Sequence, residues 1–284
     1  MRIAVDSVPG FGRKPEENED YYGFTRELFW VIDGATASRP VKVFGNPTQA
    51  VWFSKRLTEE IYRNAPRDIS LPELVYESVL NLREEFKRKY GDPDENDDGP
   101  SGSVTIIRRL DNIIEVLVIG DTFYIARDYD GKLHFYNGDE VHHKCDYELA
   151  KLCREIEETA TDEKIKKRLI SEAILLFRKL YQNREGGYPE LSVTEKSLEF
   201  IFEKKNYYYK QIESNEFMLG SDGALYLYTP FNLFSIEEFY NFVTFDNISQ
   251  VLELTKRITL DDKEKKKYLR IKPYDDMTLM KVEL

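Results

Sequence analysis

Cysteine and histidine are scarce in this sequence, and long hydrophobic runs are missing. Its 284 residues include two cysteines and three histidines. So few cysteines favour a reducing compartment, because small secreted proteins usually carry a dense disulfide framework. The longest apolar runs, such as "IIEVLVIG", are far shorter than the roughly 18 residues that span a bilayer, and the first residues lack the apolar core of a signal peptide. We therefore expect a cytoplasmic protein without a disulfide and without membrane association.

Positive charge is in deficit as well. The formal net charge is −11, whereas proteins that bind nucleic acid need clustered Lys and Arg to displace counterions from the phosphate backbone. The charge argues against a general nucleic-acid binder, so any phosphate must be bound locally.

Low-complexity segments, internal repeats and linkers are also missing, and 41% of the residues are hydrophobic, which is typical of a globular protein. We expect a single domain over residues 1–284.

What is present is an alternation of strand-like and helix-like segments. Short β-type runs fill residues 1–33, and two helices with apolar residues at three- and four-residue spacing follow, the second beginning with a Ser70–Glu73 capping box. Three or four strands in meander order are then predicted to form the centre of one antiparallel sheet. These strands are "SVTIIRR", "IIEVLVIG", "TFYIARD" and "KLHFYN". The charged helical segment 145–182 is expected to cover the second sheet, and two further helices precede a last strand, "MTLMKVEL".

Two groups of residues invite a metal-site interpretation that we do not favour. The acidic segment 91–102, "GDPDENDDGPSG", lacks the spacing of an EF-hand and is interpreted as an exposed loop. A possible zinc group consists of His142, His143, Cys145 and Cys153. It lacks paired C-x₂-C spacing, and Cys153 falls on an apolar helix position.

Aspartates at strand ends form a more informative set. "FWVIDG", "VLVIGD" and "FMLGSDG" each end a hydrophobic strand with an aspartate next to a glycine, and Asp275 and Asp276 directly precede the last strand. Each one alone is more typical of a turn. Together, carboxylates at the ends of several buried strands can meet at one rim, where they repel one another unless hard cations lie between them. An all-oxygen ligand set favours Mg²⁺ or Mn²⁺.

Six segments in this order resemble the successive motifs of the metal-dependent protein phosphatases of type 2C, in a bacterial-like form. They are "ENEDYYG" (17–23), "WVIDGAT" (30–36), "SGSVTII" (101–107), "VLVIGDTFYIAR" (116–127), "FMLGSDGAL" (217–225) and "YDDMTLMKV" (274–282). The resemblance spans nearly the whole chain. It implies an α+β fold, a four-layer α-β-β-α sandwich of two antiparallel sheets flanked by helices, in a single phosphatase-like domain.

The resemblance also implies metal ligands. Asp33 matches the aspartate that bridges two metal ions, and Gly34 matches the residue whose backbone carbonyl is a further ligand. Asp222 and Asp275 match the remaining ligands of the first metal.

Other acidic residues match less securely. Glu19 and Asp20 match the pair that holds the second metal, and Asp20 is the stronger candidate. Asp139 lies near the position of an aspartate that some bacterial relatives use for a third, weaker metal, although an exposed turn explains it equally well. Asp121 is interpreted as a structural strand-end residue.

The implied chemistry is two-metal hydrolysis of phosphoserine or phosphothreonine in proteins. Two Mn²⁺ or Mg²⁺ ions activate a water molecule that attacks phosphorus, and an arginine just before "NED" holds the phosphate. This chain has Pro15 there, so Arg13 and Lys14 are the candidate phosphate ligands, and we favour Arg13 as a catalytic residue beside Asp33 and Asp222. The resemblance implies phosphoprotein substrates and a kinase-linked signalling partner.

The loop after the Asp-Gly pair departs from the family. Where the family usually has His or Met, this chain has Ala35, which cannot act as a general acid for the leaving group. We expect relatively better hydrolysis of an aryl phosphate than of a phosphoserine peptide. The alternative is a catalytically weak or silent relative that acts as a binding or regulatory module.

Overall fold

The computed structural model describes residues 1–37, 41–93 and 99–284. Two antiparallel sheets lie face to face, and helices cover the outer face of each, which confirms the expected four-layer α+β sandwich. The centre of the acidic segment 91–102, interpreted as a loop, lies outside the described residues. Within the described residues, none of the helices combines the length and the hydrophobicity that crossing a membrane requires.

Each sheet combines strands that are consecutive in sequence with strands from distant parts of the chain. The first sheet has the order β1 (Arg2–Val8), β11 (Met277–Glu283), β10 (Glu216–Gly220), β6 (Phe123–Arg127), β7 (Leu133–Tyr136). The second has the order β2 (Asp20–Phe24), β3 (Leu28–Gly34), β4 (Ser101–Leu110), β5 (Ile113–Ile119), β9 (Tyr208–Glu213), and β8 (Leu191–Ser192) pairs with β4.

The prediction that four consecutive strands form the centre of one sheet is wrong. β4 and β5 belong to the second sheet, whereas β6 and β7 belong to the first. The chain passes between the sheets directly after β5, where Gly120 has a φ of +89°. Such a positive φ favours glycine and turns the chain out of the sheet, so the meander is divided at the residue before Asp121.

The apolar run in β3 is continuous because both faces of the strand are buried. Trp30 and Ile32 pack under α1 (Gln49–Asn64) and α2 (Leu71–Tyr90), whereas Phe29 faces the other sheet. The ring of Phe29 lies 5.3 Å from that of Phe217 in β10. The outer face of the first sheet is covered by α6 (Ile236–Phe242) and α7 (Ile248–Asp261).

The prediction that residues 145–182 cover the second sheet is wrong. They form a hairpin of two helices, α3 (Glu140–Thr159) and α4 (Glu163–Tyr181), which pack on each other through a small cluster that includes Leu149, Cys153 and Ala173. Ile271, in the loop before β11, packs against the same cluster. The hairpin therefore stands beside the loops at the sheet ends, and the short α5 (Glu195–Leu198) follows β8.

Candidate metal centre

The ends of β2 and β3 bring the first two carboxylates together. Asp20, the first residue of β2, is the cross-strand partner of Asp33 near the end of β3. A Cβ atom at Gly34 would lie 2.7 Å from the backbone oxygen of Glu19 and 3.0 Å from that of Ala50. Glycine has no Cβ atom, so the end of β3 can approach the start of β2 this closely.

Asp222 and Asp275 come from the neighbouring ends of β10 and β11 in the other sheet. Asp222 begins a 3-10 turn after β10, and Asp275 lies two residues before β11. A Cβ atom at Gly223 would lie 2.2 Å from the backbone oxygen of Asp276, so glycine allows the turn to close on this loop. The Ser221 hydroxyl donates to Asp20 Oδ2 at 2.6 Å and so joins the two sheets at this rim.

The carboxylates repel one another. Burial, followed by the charges of Asp20 and Asp222, raises the pKa of Asp33 well above its usual value. Burial and the charge of Asp275 do the same to the pKa of Asp222. Asp20 Oδ1 is buried and has no hydrogen-bond partner among the described residues. This set of oxygen ligands, in mutual repulsion and with an unpartnered buried oxygen, fits hard divalent cations.

Glu19 differs from Asp20 in having its oxygens engaged by protein donors. Thr48 Oγ1 donates to Glu19 Oε1 at 2.8 Å, and Thr36 Oγ1 and Arg13 Nη1 both donate to Oε2. The residue is 1% exposed. Asp20 therefore has the free oxygen for a cation, whereas Glu19 stabilises the loops around the centre.

Of the two candidate phosphate ligands, Arg13 lies at the centre and Lys14 does not. Arg13 Nη1 donates to Asp276 Oδ2 at 2.7 Å and to Glu19 Oε2 at 3.1 Å, whereas Lys14 is exposed. Asp276, to which the sequence assigned no role, also accepts from the backbone N–H groups of Gly10 and Glu19. It thereby holds the N-terminal loop that carries Arg13. In the sequence, the pair Asp275-Asp276 before the last strand was the feature that could have indicated a role for Asp276.

Lys272 is a second residue without a predicted role. Its Nζ lies 3.0 Å from Asp275 Oδ1 and 3.1 Å from Thr36 Oγ1. Burial lowers the pKa of Lys272, but the negative charges of Asp275, Glu19 and other carboxylates outweigh burial, so the pKa is raised. The ammonium group therefore places a positive charge at the edge of the carboxylate group, and no motif marked it.

The centre opens into a cavity of about 550 Å³. Asp33, Asp222 and Asp275 lie on one side, and side chains of the α3–α4 hairpin, including Phe177 and Arg178, line another side. Arg178 Nη2 donates to the backbone oxygen of Thr36 at 2.9 Å. The hairpin therefore forms a wall of the candidate site.

Other predicted ligands are placed elsewhere. Asp139 is the N-cap of α3, where its Oδ1 accepts from the His142 N–H at 2.7 Å. Cys145 and Cys153 are buried in α3 and unpaired, and His143 is exposed, so the possible zinc group is not assembled. Among the described residues, a compact group of metal-ligand atoms is instead formed by Asp121, His142 and Asp146. The carboxylates of the candidate centre do not form so compact a group.

No protein-family model matches this sequence, and neither does any curated protein. Solved structures match over almost the entire chain. The catalytic domain of the serine/threonine protein phosphatase PstP, in complex with two manganese ions, is 14% identical with a TM-score of 0.56, covering 99% of this chain and 97% of that one. PstP/Ppp from Mycobacterium tuberculosis is 16% identical with a TM-score of 0.58, covering 100% and 98%. Stp1 from Staphylococcus aureus is 13% identical with a TM-score of 0.57, covering 100% and 95%. The chain thus has the fold of these phosphatases.

Proposed function

We propose that this protein is a metal-dependent phosphatase that hydrolyses phosphoserine and phosphothreonine in cytoplasmic proteins. The observation that carries the proposal is the meeting of Asp33, Asp222 and Asp275, from strand ends in both sheets, at one cavity, with Asp20 paired to Asp33 across the strands. The same fold belongs to serine/threonine phosphatases, one of them solved with two manganese ions. A protein kinase that phosphorylates the same substrates is the signalling partner consistent with this activity.

The geometry of the centre supports a set of cation-binding residues. Asp20, Asp33, Asp222 and Asp275, together with the Gly34 carbonyl, would hold two cations. Two Mn²⁺ or Mg²⁺ ions, when bound, supply Lewis-acid activation of the attacking water and neutralise charge on the phosphoryl oxygens. A third cation near Asp139 has less support, because that carboxylate already caps α3.

In the proposed enzyme, positively charged side chains orient the phosphate. Arg13 Nη1 donates to Glu19 and Asp276, whereas its Nε and Nη2 have no acceptor among the described residues. These donors are available for a phosphate oxygen. Lys272 adds positive charge on the opposite side of Thr36. Arg13 is thus held in place by its carboxylate partners through Nη1, which leaves the rest of its guanidinium for a phosphate.

Protonation of the leaving group is the weak step in this site. Ala35 follows Gly34 and offers no proton donor, and a missing general acid costs roughly 10²–10⁴ in rate when the leaving group is a poor one. An aryl phosphate, with a good leaving group, should therefore be hydrolysed relatively better than a phosphoserine peptide. A phosphoserine peptide that is the faster substrate by a wide margin would show that another group donates the proton.

The test of the proposal is Mn²⁺-dependent hydrolysis of an aryl phosphate and of a phosphothreonine peptide. Asp33→Asn and Asp222→Asn should each lower kcat/KM by about 10³-fold, as expected for removal of charge that stabilises the transition state. Asp111→Asn, in an exposed turn, is the matched control and should keep full activity. Activity that survives in both centre variants would refute the proposed site.

A catalytically silent relative that acts as a binding or regulatory module is the second candidate. Two observations favour it: Ala35 in place of a proton donor, and the Lys272 ammonium beside the ligand Asp275. Absence of Mn²⁺-dependent turnover, together with Mn²⁺ binding that depends on Asp33, would support this module over the enzyme.

A further inference from the structure

We propose that Phe11 and Tyr274 form an aromatic platform that binds an aromatic side chain of the substrate peptide, close in sequence to the phosphorylated residue. The two rings are in contact. Each belongs to a segment that also carries a residue of the candidate centre, Arg13 in one case and Asp275 in the other. The inference rests on the proposed phosphatase function and adds to it the class of peptide that the site selects.

Phe11 is presented to solvent by a well-defined turn. The Arg13 N–H donates to the Gly10 carbonyl at 3.0 Å, which places Phe11 and Gly12 at the two central positions of the turn. Gly12 has a φ of +85°, as the third residue of a type II turn requires. Phe11 is 52% exposed. A single exposed apolar residue is common on protein surfaces, but this one lies on an ordered turn beside a candidate phosphate ligand.

The Asp276 carboxylate holds both the turn and the arginine. Its Oδ1 accepts from the Gly10 N–H at 2.6 Å, and its Oδ2 accepts from Arg13 Nη1 at 2.7 Å. The Asp276 side chain is 3% exposed. Because one buried carboxylate anchors the first residue of the turn and the guanidinium, Phe11 and the candidate phosphate ligand share one support.

Tyr274 provides the second ring of the platform. Its ring centre lies 5.3 Å from that of Phe11, with the planes inclined by 49°, which is within the range of favourable aromatic pairs. Tyr274 directly precedes the candidate cation ligand Asp275 and is half-buried. The platform is therefore tied to the centre through both of its residues, while the exposed part of the Phe11 ring is left for a further contact.

The position of the platform indicates a peptide. Neither ring lines the cavity that the carboxylates open into. A substrate with its phosphate at Arg13 therefore reaches the platform only through a part that extends outside the cavity, as the residues that flank a phosphorylated side chain do.

The charges around the platform favour a neutral aromatic occupant. A substrate ring can pack on Phe11 as an offset or edge-to-face pair, and aromatic side chains supply much of the binding energy of peptide interfaces. A cationic side chain can also lie over aromatic rings. Here Arg13 and the exposed Lys14 are close in the chain and would repel such a cation.

Hydrolysis of matched peptides by the intact, Mn²⁺-loaded protein tests the platform. The substrates are phosphothreonine peptides flanked by alanine, and versions in which one flanking alanine at a time is replaced by phenylalanine or by arginine. We expect kcat/KM for the best phenylalanine peptide to exceed that for the alanine peptide by about tenfold, through a lower KM.

Variants then assign the preference to Phe11. It should nearly disappear in Phe11→Ala and return in Phe11→Tyr, which keeps an aromatic ring. Phe24→Ala is the matched control, because it removes another exposed phenylalanine, at the end of β2, and it should keep the preference of the parent. Circular dichroism and thermal melting confirm that the compared variants are folded.

The outcomes separate the platform from the proposed function. An equal preference in Phe11→Ala and Phe24→Ala would overturn the platform, and so would a parent that selects arginine peptides over phenylalanine peptides. Hydrolysis of an aryl phosphate without any preference among the peptides would refute the platform alone. A parent without Mn²⁺-dependent hydrolysis of the aryl phosphate would refute the proposed function, and the platform with it.

Discussion

Lys272 places a positive charge next to carboxylates that would hold a cation. Its Nζ contacts Asp275 Oδ1 and Thr36 Oγ1 at 3.0 and 3.1 Å. Two like unit charges 4 Å apart repel by about 4 kcal/mol at an effective dielectric constant near 20. In the cation-free protein the ammonium therefore relieves repulsion among the aspartates, and in the cation-bound protein it opposes the metal.

Replacement of Lys272 by methionine should tighten Mn²⁺ binding at the centre. We expect the Kd to fall about tenfold, which is about 1.4 kcal/mol, because methionine keeps the length of the side chain and removes the charge. Calorimetric titration of the metal-free protein measures it, with the exposed Lys14→Met as the control. Unchanged or weaker binding would mean that the main role of Lys272 is to hold Asp275 in position.

Asp20 and Glu19 are adjacent but should respond differently to neutralisation. Asp20→Asn removes a charge with an unpartnered buried oxygen, so we expect at least tenfold weaker Mn²⁺ binding without loss of stability in the metal-free protein. Glu19→Gln weakens hydrogen bonds from Thr48, Thr36 and Arg13, so its Tm should fall by several degrees. Calorimetry measures the binding and thermal melting measures the Tm. Weaker Mn²⁺ binding by Glu19→Gln together with a lower Tm of Asp20→Asn would exchange the roles of the two residues.

At the scale of elements, the loop from α7 to β11 carries Asp275 and Lys272 and contains a buried ion pair. Arg270 Nη1 donates to Asp262 Oδ2 at 2.7 Å, and the side chains are 4% and 10% exposed. The Asp262 carboxylate also accepts from the backbone N–H groups of Lys267 and Tyr268. The position of the candidate ligand Asp275 therefore depends on contacts made about thirteen residues earlier in the chain.

Removal of this ion pair should lower stability in a pH-dependent way. Asp262→Ala leaves Arg270 buried without its partner, so we expect a loss of about 3 kcal/mol at pH 7. Burial raises the pKa of Asp262, but the Lys267 N–H and Arg270 outweigh it and the folded pKa is lowered. The contribution is therefore full above the unfolded pKa of about 3.9 and is lost as pH falls through the lower folded value. Urea unfolding at pH 7 and pH 3 measures it.

The exposed neighbour gives the control for this prediction. Asp261→Ala, at the end of α7, should change stability by less than about 0.5 kcal/mol. A difference between wild type and Asp262→Ala that stays constant as pH falls to 3 would contradict the assignment of the ion pair.

At the scale of the whole molecule, the carboxylates couple the two sheets. Asp20 and Asp33 belong to the second sheet, whereas Asp222 and Asp275 adjoin strands of the first, and the sheets otherwise meet through an apolar core. Like charges at this rim push the sheet ends apart, and a cation bound between them would draw the ends together. Stability of the entire fold should therefore depend on divalent cations.

Mn²⁺ should raise the Tm of the intact protein above its value in a chelator. A ligand that binds only the folded state at a hundredfold excess over its Kd adds about 2.7 kcal/mol, which is several degrees for a protein of this size. Thermal melting with Mn²⁺ and with a chelator measures the shift. The shift should largely disappear in Asp33→Asn, and a full shift in that variant would place the stabilising cation elsewhere.

Local patterns in the sequence predicted helices, strands and the type of chemistry, whereas the four-layer arrangement was implied by the resemblance to the phosphatase motifs. Alternating and helical hydrophobic patterns, capping residues and strand-ending aspartates act over a few residues, so they can be recognised without tertiary structure. The six phosphatase-like motifs added the roles of Asp33, Asp222 and Asp275, which remain predictions that the geometry supports. An oxygen-rich ligand set for hard cations likewise followed from residue types alone.

The tertiary structure decided what depends on distant contacts. It separated β5 from β6 into different sheets, placed the α3–α4 hairpin at the cavity, and brought Lys272 to Asp275 and His142 to Asp121. It also distinguished Arg13 from Lys14 through an ion pair between residues 263 positions apart. The sequence determined which groups are available, because composition and local periodicity are properties of neighbouring residues. Only folding decided which of them meet, because burial and charge at the rim arise from strands that are remote in the chain.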